Sequence, residues 1–103
     1  MTDTAAFPLR FFVQLCSDNT AFEAHLARRV SLNMNEVRKS LEDSKGLEII
    51  VFTRHLVIVR IGRAEATLSR DGRMLVRRVA NETEATQLVE QMLSIILKSI
   101  VKR

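Results

Sequence analysis

Few side chains in this sequence could do covalent or acid–base chemistry: one cysteine, Cys16, two histidines, His25 and His55, and twelve acids in 103 residues. Cys16 and His25 would make a thiolate–imidazole nucleophile only if the fold joined them, and a lone cysteine ending a strand is ordinarily a packing residue. Tetrahedral zinc takes four ligands, so Cys16, His25 and His55 are too few and too scattered to hold it. The acids fall at other tasks. Glu23, Glu82 and Glu84 have the spacing of helix caps, Glu36, Glu42 and Asp43 lie on an exposed helix, and Glu65 stands alone inside a strand. Gly46, Gly62 and Gly72 are isolated, so no phosphate-cradling loop is encoded, and there is no CxxC or HExxH. The sequence therefore reads as a non-enzymatic binding module, with no cofactor and no metal expected.

The charge that remains is basic and made mostly of arginine. Twelve Arg and four Lys stand against the acids, for a net charge of +4. Arg54, Arg60, Arg63, Arg70, Arg73, Arg77 and Arg78 crowd one stretch, where only Glu65 and Asp71 oppose them. Guanidinium groups suit planar, bidentate contact with phosphate or carboxylate. The cluster is read either as a phosphate-tracking surface or as a solubilised sheet whose charges keep its edges from pairing.

Periodicity supplies the elements that must position these residues. Leu9, Phe11, Val13 and Leu15 alternate with Arg10, Phe12, Gln14 and Cys16, which predicts a half-buried strand. Thr20 and Glu23 have capping-box spacing, and Phe22, Leu26 and Val30 recur at i, i+4, i+8, which predicts a helix. The pattern breaks around Ser31–Asn33. A second helix carries Met34, Val37 and Leu41 and ends at Lys45-Gly46.

Strands follow over Leu47–Phe52 and Leu56–Ile61, then over the alternating Ala64, Ala66 and Leu68, and over Arg73–Val79 after an Asp71-Gly72 hairpin turn. A last helix starts at the Asn81/Glu84 cap and runs toward Lys98, Lys102 and Arg103. The expected order is β-α-α-β-β-β-β-α, an α+β domain spanning residues 1–103, with an antiparallel sheet of four to five strands and helices on one face.

Alternation assigns the uncovered face to Arg10, Phe12, Gln14, Ile58, Arg60, Glu65, Thr67, Leu75 and Arg77. Of these, Arg10, Phe12, Arg60 and Arg77 are the expected nucleic-acid contacts. The last helix is apolar over most of its girth. Beside the stripe Ala85, Leu88, Met92, Ile95 and Ser99 runs a second one, Val89, Leu93, Ile96 and Ile100. That second stripe packs under the other helices or forms a partner-binding surface.

The stretch Val57-Ile58-Val59-Arg60-Ile61, then Ala66-Thr67-Leu68-Ser69-Arg70-Asp71-Gly72-Arg73-Met74-Leu75-Val76, then Asn81-Glu82-Thr83-Glu84-Ala85 resembles one repeat of the TATA-box-binding protein, over residues 47–100. The expected element order agrees with such a repeat. The resemblance implies an open-sheet platform and a transcription-associated, DNA-binding role, with a homodimer rebuilding the two-repeat saddle. The family's phenylalanine wedge before the hairpin glycine is missing, since Thr67-Leu68-Ser69-Arg70 stands there, so TATA-type kinking is not implied.

The predicted layout also resembles the small dimeric subunit of the KEOPS tRNA-modification complex, which would make the chain a protein-interaction subunit docking through its last helix. The Asp, Arg and Asn pattern associated with that family's last helix is absent. Without an apolar leader or a run of about 20 apolar residues, the chain is expected to be soluble and cytoplasmic, with no membrane partner.

Overall fold

The computed structural model describes residues 2–3, 11–15, 21–26, 30–96 and 100–101. In chain order the elements are β1 (Thr2–Asp3), β2 (Phe11–Leu15), β3 (Phe22–Leu26), β4 (Ser31–Leu32), α1 (Met34–Asp43), β5 (Leu47–Phe52), β6 (Leu56–Ile61), β7 (Ala64–Ser69), β8 (Met74–Arg77), α2 (Glu82–Ile96) and β9 (Ile100–Val101). The main sheet has the order β1-β2-β3-β8-β7-β6-β5, and β4 pairs separately with β9. Every adjacent pair is antiparallel.

Period-two alternation drives one face of this sheet into the core. Phe11 and Val13 of β2, Ala24 of β3, Val57 and Val59 of β6, Ala66 and Leu68 of β7, and Met74 and Val76 of β8 are buried together. Both helices cover that face. α1 contributes Met34, Val37 and Leu41, and α2 contributes Ala85, Leu88, Val89, Met92, Leu93 and Ile96. α2 begins at the Asn81/Glu84 cap the sequence predicts, and α1 begins after an asparagine cap of its own. The side-chain oxygen of Asn33 accepts from the Glu36 amide at 3.3 Å, and that of Asn81 accepts from the Glu84 amide at 2.9 Å.

Three expectations are corrected. The segment read as a first helix is strand β3, lying between β2 and β8. Its apolar residues Phe22 and Leu26 are spaced by four, an even number, so they share one face of a strand as readily as one face of a helix. In the strand, Ala24 joins them against the core. Phe22–Ala24 is paired on both sides, with β2 and with β8, which a helix there could not be.

The sheet is accordingly wider than four to five strands. Six strands have four or more residues, and β1 adds a seventh of two. The last helix ends at Ile96, and the β-branched pair Ile100–Val101 is extended, with Ile100 opposite Leu32. Among the described residues no helix is long and apolar enough to cross a membrane.

Among the described residues one buried side-chain polar group has no partner. The Thr86 hydroxyl of α2 is enclosed, in a residue 7 % exposed, without a hydrogen bond. A buried unsatisfied hydroxyl costs about 1–3 kcal/mol, while valine has nearly the same shape and helix propensity. Thr86→Val is expected to stabilise the fold by about 1 kcal/mol, read as a rise in the denaturation midpoint with an unchanged slope.

Candidate binding surface

The face of the sheet opposite the helices carries Arg60 and Arg77, two of the residues expected to bind. Register sets Glu48, Arg60, Glu65 and Arg77 side by side across β5, β6, β7 and β8. The Arg60 guanidinium reaches Glu48 Oε1 at 3.3 Å. Next to this charged row lies a second, Val51–Ile58–Thr67–Leu75–Glu23–Gln14. Within it the Glu23 carboxylate holds both His25 and Arg73, the latter at 3.6 Å.

Arg60 and Arg77 thus stand on the predicted face, but Glu65 sits between them in register. Three arginines there (Arg60, Arg73, Arg77) meet three glutamates (Glu23, Glu48, Glu65), which leaves no surplus of positive charge among the described residues. Exposed ion pairs are weak individually, but a balanced row gives no long-range field to draw a polyanion. Arg10 lies outside the described residues. Phe12 occupies β2 opposite His25, and the contact expected of its side chain lies outside what is described.

The stripe expected to dock a partner through α2 is core instead. Val89, Leu93 and Ile96 are each 1 % exposed, because the sheet lies under one side of α2 and α1 packs along another. Ile100 belongs to β9 and not to the helix. The outward residues of α2 are polar: Thr83, Glu84, Gln87, Gln91 and Ser94.

Unbalanced cations collect at one end of the sheet. Consecutive antiparallel hairpins place alternate turns at the same end, so Thr53-Arg54-His55 and Arg70-Asp71-Gly72 meet while Gly62-Arg63 points the other way. The two turns are fastened directly, the Arg70 amide donating to the His55 carbonyl at 2.8 Å. The Leu32 amide donates to the Arg70 carbonyl at 2.9 Å, which brings β4 and the start of α1 alongside. Thr53 Oγ1 accepts from the amides of His55 and Leu56, both at 3.1 Å, and stiffens the first turn. Asp71 Oδ1 accepts from the Arg73 amide at 3.1 Å and stiffens the second.

The result is an open groove of about 460 Å3, whose polar lining comes from Ser31, Asn33, Asn35, Arg54 and Arg70. No acid lines it, and neither guanidinium makes an ion pair among the described residues. The positive end of α1 opens on the same side. The sequence offered a usable signal for this pairing, namely an arginine in each of two alternate hairpin turns.

Among the described residues no three His, Cys, Asp or Glu side chains gather to hold a metal ion. The class defined by the fold is an α+β protein with a broad antiparallel sheet covered on one face. No protein-family model matches the chain, and no curated protein or solved structure matches it with significance.

Proposed function

We propose that this chain is a non-enzymatic binding module, similar to a TATA-box-binding-protein repeat, that engages the phosphate backbone of nucleic acid at the Arg54–Arg70 groove. The observation that carries this reading is charge placement. The open-face arginines face carboxylates across the strands, whereas Arg54 and Arg70 line a groove with no acid in it. The residues that carry the resemblance make up β6, β7, β8 and the start of α2. They are the scaffold that holds the Arg70 turn, so the proposed contact is a property of hairpin ends more than of the sheet's centre.

Fluorescence anisotropy with labelled duplex DNA and structured RNA tests it. Binding should fall steeply with salt, because each phosphate neutralised releases counterions. Arg54→Ala combined with Arg70→Ala is expected to weaken binding about tenfold or more and to reduce the salt slope by about two. Arg60→Ala should leave both nearly unchanged. Absence of binding at low salt would sink the proposal, as would loss through Arg60 with none through Arg54 and Arg70.

A further inference from the structure

The groove between the Arg54 and Arg70 turns has an apolar wall as well as cations. Leu32, Met34 and Phe52 line it beside the polar side chains. Leu32 and Met34 are buried, whereas Phe52 is only half-buried. Of the phenylalanines whose side chains are described (Phe11, Phe22 and Phe52), Phe52 alone lines this groove.

A bulge puts Phe52 there. Strict alternation from Leu47 and Ile49 would bring Val51 to the helix-covered face. The register shift between Ile49 and Val51 instead sets Val51 opposite Ile58 and brings Phe52 to the core side with Leu47 and Ile49. There it meets α1, with Arg38 Cζ 5.1 Å from the centre of the Phe52 ring. Arg38 is itself held by Glu42 at 3.3 Å, and it does not line the groove, so it braces the ring from outside. A ring packed on the core and braced by a guanidinium has little freedom left to lose when a ligand binds.

The polar lining suits the other parts of a nucleotide. Arg54 and Arg70 are exposed, and no acid shares the groove with them. Asn33 gives its side-chain oxygen to the cap of α1 and keeps its NH2 unengaged among the described residues, and the Asn35 carboxamide is unengaged there altogether. A carboxamide both donates and accepts, so it can meet the edge of any base. The volume of about 460 Å3 falls in the range of small-ligand sites, about 300–1,000 Å3. A base inside a duplex is stacked on both faces and cannot offer one to Phe52, whereas an unpaired base can.

We propose that the groove takes one unpaired nucleotide of single-stranded RNA or DNA, its base against Phe52 and the flanking phosphates on Arg54 and Arg70. This rests on the groove being a phosphate site and adds what lies between the phosphates. Charge alone would favour the opposite choice, because a duplex carries the denser phosphate array and releases more counterions per contact. A preference for the single strand therefore reports the base.

Fluorescence anisotropy tests this with labelled strands of about 10 nucleotides. The probes are a mixed-sequence single strand made as RNA and as DNA, the same strands annealed to their complements, and an abasic strand of the same length. The single strand should bind about tenfold more tightly than the duplex or the abasic strand. Phe52→Leu, checked for folding by thermal melting, should weaken the base-bearing strand about tenfold and leave the abasic strand and the salt slope unchanged. Arg54→Ala with Arg70→Ala should weaken both. The advantage on either sugar supports the proposal, and the tighter of the two strands names the sugar the site prefers. Equal binding of base-bearing and abasic strands by the wild-type chain, still lost with Arg54 and Arg70, would overturn the inference and leave the phosphate site standing. That comparison uses no Phe52 variant. A base-dependent advantage that survives Phe52→Leu would overturn it too. Absence of binding to every probe at low salt would remove the phosphate site and this inference with it.

Discussion

Leu93→Asp is expected to abolish cooperative folding, not to release a folded monomer from a complex. Leu93 is 1 % exposed and lies with Val89 among Phe11, Ala24 and Met74, deep between α2 and the sheet. Truncating a buried leucine costs about 2–5 kcal/mol. An unpaired carboxylate in the same place adds several kcal/mol more, since of the residues around it only His25 could answer the charge and Glu23 already holds it. The sum is comparable to the whole stability of a domain this size, about 5–15 kcal/mol. Circular dichroism with thermal melting reads the outcome directly. Gln91→Lys, two residues earlier on the exposed side of α2, should move stability by no more than about 0.5 kcal/mol. A Leu93→Asp protein that melts within a few degrees of wild type would mean that α2 does not pack as described and that its second stripe is free for a partner after all.

That stripe shows what the sequence could and could not say. A helix apolar around most of its girth must be covered on more than one side, which periodicity gives reliably. Whether the cover is the chain itself or a partner depends on where α1 lies, and no local pattern encodes that. The strands from β5 to β8 were legible because alternation, β-branched content and the turn residues Gly62 and Gly72 all agree. β3 was misread because the spacing of Phe22 and Leu26 fits both periods and Thr20 with Glu23 imitates a capping box, while the pairing of the segment with β2 and β8 is a tertiary fact.

The candidate site divides in the same way. Alternation correctly set Ile58, Arg60, Glu65, Thr67, Leu75 and Arg77 on one face. It could not set Glu48 beside Arg60 or Glu23 beside Arg73, and those register-dependent neighbours remove the surplus charge that composition implied. Arg54 and Arg70 lie sixteen positions apart and meet only because two hairpin turns share an end of the sheet. The bulge in β5 is likewise invisible in Ile49-Ile50-Val51, where every residue is apolar and alternation has nothing to mark.

Gly72→Ala should be the most damaging single-methyl change in the described chain. Gly72 turns the chain from β7 to β8 at φ +91, a conformation that side chains with a Cβ rarely adopt. A Cβ there would stand 2.5 Å from Val30 Cγ2 and 2.9 Å from Leu26 Cδ1, since these two side chains pack directly against this turn. Backbone strain of about 1–2 kcal/mol and overpacking of about 1–3 kcal/mol act together. Gly46 is the natural control. It has nearly the same backbone, φ +84, but a Cβ there meets nothing within 4 Å. Gly46→Ala should therefore cost only the strain, about 1–2 kcal/mol, and denaturant midpoints of the two variants separate strain from packing. The Gly72 amide also donates to the Ser69 carbonyl at 2.9 Å, within the turn that presents Arg70. Displacing that turn should loosen the groove as well as the core, so Gly72→Ala is expected to weaken polyanion binding at temperatures where the variant is still folded, whereas Gly46→Ala, in the turn between α1 and β5, should not. Equal destabilisation by the two substitutions would show that the Leu26 and Val30 side chains yield freely and that the packing over Gly72 does not hold the hairpin end in place.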